Sequence, residues 1–282
     1  MNEHERIDRH TGTRVHIVAA RQDRPHTPTR ECPFCVGGLE APTEYTVKSI
    51  ANRWPALDSG VCEVVLYSSQ HDASLVSIQP SGIKKVVDLW AQRTDQLQQQ
   101  DDIKHVLIFE NRGAQVGATI QHPHGQIYAF DHVPARQHRL LTAQWSPDTN
   151  IEAREIISSS DFVVYAQYAS IHPVSLVVAP RKRVATVCEL TDAQRNNFSE
   201  VLHQTFSVLD LLFDEPLPYM MWINQNVDTT TYKNPWMHME IVSPWRARNL
   251  QRFIAAAEVS TEEYFNPVDP ADIAQRLRNL IK

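Results

Sequence analysis

The chain has 282 residues, of which 42% are hydrophobic and 21% charged, and Lys+Arg 27 against Asp+Glu 33 gives a formal net charge of −6. This length allows one large or two modest domains, and a core-forming composition with a slightly acidic balance excludes a broad polyanion-binding face, so nucleic acid is not an expected partner. No run approaches the roughly 20 apolar residues that span a bilayer, and Met1-Asn2-Glu3-His4-Glu5-Arg6 is charged where a signal peptide carries its apolar segment. A soluble, cytosolic protein without a membrane partner is expected.

In chain order, residues 1 to 30 carry turn formers and basic groups, among them Arg21, Arg24, Pro25, Pro28 and Arg30, and read as an arm with at most one strand, Val15 to Val18. Cys32-Pro33-Phe34-Cys35 follows, a spacing that suits a metal or a redox pair. Four cysteines do not make a disulfide framework, and Cys62 and Cys188 lie in apolar stretches as expected buried thiols. A pattern then occurs twice, and internal repetition fixes architecture before local detail does. The first copy has a strand at Glu63 to Tyr67 and an amphipathic helix from Ile83 to near Gln99, with Val86, Val87, Leu89, Trp90 and Leu97 as its apolar positions. A strand at His105 to Glu110, a polar loop and an extended segment at His122 to Tyr128 complete it.

Residues 129 to 161 link the copies, with a short helix expected around Ile151 to Ile157. The second copy reads as strands at Phe162 to Tyr165 and Ser175 to Pro180, a helix from Asp192 to Leu212, a strand at Tyr219 to Ile223 and a last strand at Trp236 to Val242. Asp269-Pro270, an N-cap residue followed by proline at the first helical position, opens a docking helix through Ile273, Leu277 and Leu280. Two such units predict an α+β class, an antiparallel sheet with helices packed on it, in halves 1–135 and 136–282.

Neither GxGxxG nor GxxxxGK[ST] is present, and Gly 8 is about 3% of the chain against a usual 7% or so. Phosphate, if handled, falls to side chains and a few local amides. His122-Pro123-His124-Gly125-Gln126 is the sharpest signal, because residues i and i+2 of a strand share a face, which brings two imidazoles and one carboxamide together. A neutral imidazole attacks phosphorus and leaves again when a second phosphate oxygen arrives, while an amide donates to the non-bridging oxygen that gains charge. Two solvated loop histidines are the alternative. Upstream, Asn111, Gly117 and Thr119 add an amide, a flexible backbone N–H and a hydroxyl.

The order Cys-x-x-Cys, Phe-Glu-Asn-x-Gly-Ala, Gly-x-[Ser/Thr], His-Pro-His-Gly-Gln resembles the galactose-1-phosphate uridylyltransferase family of the histidine triad superfamily, over nearly the whole chain. The resemblance implies two tandem histidine-triad-like repeats, with His124 as the nucleophile that becomes uridylylated. It implies that Gln126 contacts the phosphoryl oxygens and that Thr119 stands for a serine near the phosphates. Asn52, Asn111 and Gly117 would line the nucleotide site, and Arg21 and Arg24 of Arg-x-x-Arg-Pro would serve nucleotide and phosphate, partly across a dimer interface, as guanidinium forks can. Arg252, Phe253 and Glu258 would lie near the sugar. Cys32, Cys35, His71 and His122 would be zinc ligands, a closed structural set. A nucleotide sugar, a sugar 1-phosphate and a second copy of the chain are the implied partners.

The departures matter too. The family often has a second metal site built from histidines in the second copy; here that copy ends in His238-Met239-Glu240 and residues 224 to 237 contain no histidine, so a single metal and a structural His238 are expected. Arg53 replaces an acidic residue beside the nucleotide, and Ala257 stands where an aromatic precedes the glutamate. The leading expectation is a ping-pong nucleotidyltransferase that exchanges sugar 1-phosphates on a nucleoside diphosphate sugar. The competing readings are an ADP-sugar phosphorylase or hydrolase with the same site, a nucleotide-binding module without turnover, and a zinc-stabilised interaction protein.

Overall fold

A computed structural model describes residues 5–23, 32–57, 61–228 and 230–281; Arg24 lies outside them. The arm opens with a hairpin of β1 (Glu5–Ile7) and β2 (Arg14–His16), whose turn is tied by the Asp8 carboxylate accepting the backbone N–H groups of His10 and Thr11. It therefore holds two strands where one was expected. The pair is too short and polar for alternation to show; the Asp8 turn and an ion pair between Arg14 and Glu5 close it.

The chain continues through β3 (Lys48–Ala51), β4 (Val61–Leu66), α1 (Gln79–Gln98), β5 (His105–Arg112), β6 (His124–Phe130) and α2 (Ala135–Thr142). It proceeds as β7 (Glu155–Ser158), β8 (Phe162–Ala166), β9 (Val174–Pro180), α3 (Asp192–Leu211), β10 (Tyr219–Asn224) and β11 (His238–Ser243). A small ribbon of β12 (Trp245–Ala247) and β13 (Leu250–Gln251), then α4 (Ala256–Thr261) and α5 (Pro270–Arg278), end it.

Helix α3 starts where the periodicity predicts, because Thr191 accepts from the N–H of Gln194 while the Gln194 side chain accepts from the N–H of Thr191. Helix α1 begins four residues before the expected Ile83: Pro80 reads as a breaker but sits in the first turn, where its missing N–H costs nothing. The helix expected at Ile151 to Ile157 is absent. Glu155 to Ser158 is instead β7, with Ile156 and Ile157 buried beside β8, since paired β-branched residues gain more from a sheet edge than from a lone helical turn. The linker's helix is α2, entered from extended Pro134.

Nine strands form one antiparallel sheet in the order β3-β4-β6-β5-β10-β11-β9-β8-β7. The unit β4-α1-β5-β6 recurs as β9-α3-β10-β11, and β5 and β10 pair at the centre, so the two repeats share a single sheet. Their registers correspond: Phe109 opposes Gln126 in the first half as Trp222 opposes Glu240 in the second. Helices α1 and α3 cover one face, and Trp90, Phe198 and Phe206 are sealed there, each contributing roughly 1.5–3 kcal/mol by leaving water. The other face is open over β5 and β10, and over β4 and β6 it carries the segment around Phe34 and Ala41, packed on Val64 and Leu66.

Beneath the centre, on the helix side, Glu110 is buried with one carboxylate oxygen accepting from Tyr219 at 2.9 Å and the other without a hydrogen-bond partner among the described residues. Burial pushes its carboxyl up to about 7, against the lowering influence of the Tyr219 hydroxyl and Arg112. Between the ordinary value of 4.5 and about 7 the folded chain thus holds a proton that the unfolded chain has lost, and stability falls as pH rises through that window. Glu110→Gln should flatten this decline and match or exceed the parent's stability above pH 7, checked by urea midpoints from pH 4.5 to 8.

Candidate functional site

The His-Pro-His-Gly-Gln segment runs into strand β6 on the covered face, with His122 and Pro123 in the loop that enters it. His124, the first residue of β6, opposes Leu66, and Gln126 opposes Val64, so both side chains stand on the same side as the Phe34 lobe. The His124 Nδ1–H donates to the carbonyl of His122 at 2.7 Å, a bond that fixes the tautomer and leaves the lone pair on Nε2. Its ring packs against Phe34 with centroids 5.1 Å apart. Gln126 accepts at Oε1 from Asn52 Nδ2 and from the Tyr128 hydroxyl, each at 3.3 Å. Asn52 reaches Gln126 from the end of β3, across β4, and its own Oδ1 accepts from the Trp54 N–H at 2.9 Å.

Gly125, between the two, faces the helix side, where a Cβ would lie 2.0 Å from the Tyr67 hydroxyl. Tyr67 is buried against Trp90 and has no room to retreat. Gly125→Ala should cost about 1–3 kcal/mol through overpacking and displace the residues on either side; thermal melts are the check, and adding Tyr67→Phe should recover part of the loss.

Four ligand atoms, from Cys32, Cys35, His71 and His122, lie within 4.8 Å of one another, a group able to hold a metal ion. Cys35 Sγ is 3.4 Å from His71 Nδ1 and 3.7 Å from His122 Nδ1, close to the roughly 3.6 Å separating sulfur and nitrogen at adjacent corners of a tetrahedral zinc site. The Nε2 side of His122 meets the Ser68 carbonyl at 2.7 Å and the Tyr45 hydroxyl at 2.9 Å, so its proton resides there and Nδ1 turns its lone pair to the cysteines. Burial raises the Cys35 thiol, and Cys32 adds to it; two thiolates coexist in this corner when a cation offsets them. The donor set and its spacing therefore fit zinc.

The structure brings Asn52, His122, His124 and Gln126 together with the Cys/His group. Asn111 is on the neighbouring strand β5, half-buried, opposite Met220. Gly117 and Thr119 lie in the loop entering β6, and Gly117 adopts φ +86°, a left-handed conformation that admits glycine readily. Arg21 sits in the 3-10 turn Ala19–Asp23, half-buried, near enough to Cys62 on β4 to lower its thiol against the larger effect of burial. Arg252, Phe253 and Glu258 make their contacts elsewhere. Glu258 is buried, accepting from Arg252 and from the backbone N–H groups of Ala255 and Phe265, and Phe253 is exposed. Sequence reasoning missed Phe34, Tyr45 and Tyr128 as parts of this site; Phe34 was visible only as the interior of the Cys-x-x-Cys turn.

An open hollow beside Asn52 is lined by Leu39, Glu40, Ile50, Ala51 and Arg53. Burial raises the Glu40 carboxyl, with Arg53 opposing.

The equivalent place in the second half is filled by the chain itself. His238 corresponds to His124, and its Nδ1 likewise meets the carbonyl two residues before, Trp236, at 3.3 Å. Its Nε2, however, accepts from Asn224 at 2.9 Å, and Trp145 stacks on its ring at 3.4 Å. Arg136 Nη2 donates to both Glu240 carboxylate oxygens at 2.8 and 2.9 Å, Nη1 donates to Asn224 Oδ1 at 3.2 Å, and the guanidinium lies over Trp222. Burial alone would raise the Glu240 carboxyl, but His238 and Arg136 bring it down to about 2. His238 is thus a hydrogen-bonded structural residue.

Two family models match the chain, described as the N-terminal domain of galactose-1-phosphate uridyl transferase over residues 41–134 and the C-terminal domain over residues 118–280. The chain is 34% identical to the galactose-1-phosphate uridylyltransferase of Thermotoga maritima, over 94% of each chain. It is 26% identical to the ADP-glucose phosphorylase of Arabidopsis thaliana, over 91% of this chain and 84% of that one. A solved uridylyltransferase structure superposes with a TM-score of 0.88 at 24% identity, covering 98% of both chains, which shows the fold. Among the described residues no helix is long and apolar enough to cross a membrane.

Proposed function

The chain belongs to the galactose-1-phosphate uridylyltransferase family, and from that premise we propose that it is a nucleotidyltransferase exchanging sugar 1-phosphates on a nucleoside diphosphate sugar. The observation that carries this reading is the tautomer of His124, whose Nδ1–H is committed to the His122 carbonyl so that Nε2 is the nucleophile. Nε2 attacks the α-phosphorus, the bond to the bridging oxygen breaks, and sugar 1-phosphate departs with that oxygen's electron pair. The positive charge gained by the imidazole is stabilised through Nδ1–H on the carbonyl. A phosphate oxygen of the second sugar 1-phosphate then attacks the nucleotidyl group and returns the imidazole.

In this scheme Gln126 donates to a non-bridging oxygen, with the Thr119 hydroxyl nearby, Asn111 and Gly117 line the nucleotide, and Asn52 stands at the edge of that site behind Gln126. Arg21 and Arg24 neutralise phosphate, partly across a homodimer, and Arg252, Phe253 and Glu258 belong to the sugar end. Cys32, Cys35, His71 and His122 would hold zinc, whose contribution is structural. A cytosolic setting suits ligands that bind as thiolates. We take residues 1–135 and 136–282 as the two halves, with the chemistry confined to the first.

A second reading, phosphorolysis of an ADP-sugar, is supported by the similarity to the Arabidopsis phosphorylase. One experiment tests both. Mass spectrometry after incubation with UDP-glucose or ADP-glucose should show one nucleoside monophosphate on His124, and galactose 1-phosphate or inorganic phosphate should then discharge it. Turnover with no adduct at any stage would overturn the covalent mechanism.

A further inference from the structure

We propose that Asn52 and Tyr128 are positioning residues that set which end of the Gln126 carboxamide meets the substrate, an inference that rests on the nucleotidyl-transfer reading above. A side-chain amide can present either an acceptor oxygen or a donor NH2, and only the donor helps where charge develops on a phosphoryl oxygen. Nothing within Gln126 itself selects the end. The polarity is imposed from outside, beginning at a backbone group that cannot rotate.

The Trp54 N–H donates to Asn52 Oδ1 at 2.9 Å, which orients the Asn52 amide and leaves its Nδ2 facing Gln126. Nδ2 donates to Gln126 Oε1 at 3.3 Å, and the Tyr128 hydroxyl, two residues along the same strand, donates to that oxygen at 3.3 Å as well. Two donors converging on Oε1 hold it on the protein side and make Nε2 the end left for a phosphoryl oxygen. Turning the amide over would set its NH2 against the Asn52 NH2, replacing that hydrogen bond with a donor-donor clash, and would force the Tyr128 hydroxyl to rotate from donor to acceptor. Asn52 spans β4 to do this, so a residue of the β3 end acts on β6 chemistry through Gln126.

Asn52→Asp tests the relay with almost no change of shape. One oxygen of the introduced carboxylate keeps the bond from Trp54 N–H, and the other offers an acceptor where Gln126 now meets a donor. The Gln126 amide should turn over and present its oxygen to the phosphate. In single-turnover experiments with UDP-glucose, adduct formation should slow about 100-fold, the scale of a lost oxyanion donor. Affinity for uridine, which carries no phosphate for the new charge to repel, should stay within about threefold, and Tyr128→Phe should slow the same step about threefold. In a Gln126→Ala background, Asn52→Asp should have no further effect, because the relay has lost its target.

Multiplying effects of Asn52→Asp and Gln126→Ala, or a loss of uridine affinity in proportion to rate, would overturn the proposal in favour of a direct contact between Asn52 and nucleotide. The side-chain amide resonances of Gln126, assigned by their loss in Gln126→Ala, read the contact without turnover. They should shift in Asn52→Asp, and an unmoved pair overturns the relay. A parent protein that forms no adduct, with these resonances shifting as expected, counts against the nucleotidyl-transfer reading alone.

Discussion

Replacing His124 with alanine is expected to slow transfer by a factor on the order of 10⁴ or more and to remove the nucleotidyl adduct entirely, since loss of a covalent nucleophile leaves only binding and charge stabilisation. His124→Gly should behave alike and recover part of the first half-reaction when imidazole is supplied, because the pocket between Phe34 and the His122 carbonyl would be open to it. No other histidine should substitute. His238 occupies the equivalent register position, but its Nε2 is engaged by Asn224 and its face is covered by Trp145. Rapid-quench rates with peptide mapping check the prediction, and retained turnover in His124→Ala would end the covalent account.

Zinc loss is the second large effect. Cys32→Ser, or extraction of the metal with a chelator, should reduce bound zinc from near one per chain and lower the melting temperature by about 10 °C or more, as expected when a site that folds with its metal loses a ligand. Adduct formation should also fall 10- to 100-fold. The reason is geometric. His122 lies two residues before the nucleophile, at the entry to β6, and supplies the carbonyl that holds His124 Nδ1, while Phe34, inside the Cys-x-x-Cys turn, packs on the His124 ring. A metal held by Cys32, Cys35, His71 and His122 would therefore fix two of the surfaces that aim the imidazole. Elemental analysis with calorimetry measures the effect, and a zinc-free protein of unchanged stability would discard the assignment.

The long elements are legible because each declares itself locally. The core positions of α1 and α3 recur at helical spacing, and Thr191 with Gln194, like Asp269 with Pro270, marks a helix start within four residues. Short elements are not. β7 reads as a helix because Ile156 and Ile157 carry no period of their own, and β1 and β2 are joined by the Asp8 turn and the Arg14–Glu5 ion pair, neither of which shows as a period. Among site residues, His124 and Gln126 can be placed on one face from their spacing alone, whereas Tyr128 looks like another sheet residue and Phe34 like filler between cysteines.

What the amino-acid order determined by itself is the tandem α+β plan, the Cys-x-x-Cys turn and the shared side of His124 and Gln126, all consequences of spacings of two to four residues. Only the folded chain decided that β5 would pair with β10, and that Cys35 would meet His122 across 87 positions of sequence. It also decided that Asn52 would reach Gln126 across 74 and that Trp145 would close the second half over His238. Those outcomes depend on how a nine-stranded sheet stacks and on which loops its edges bring together, and that is set by the packing of the entire core against the entropy of closing long loops.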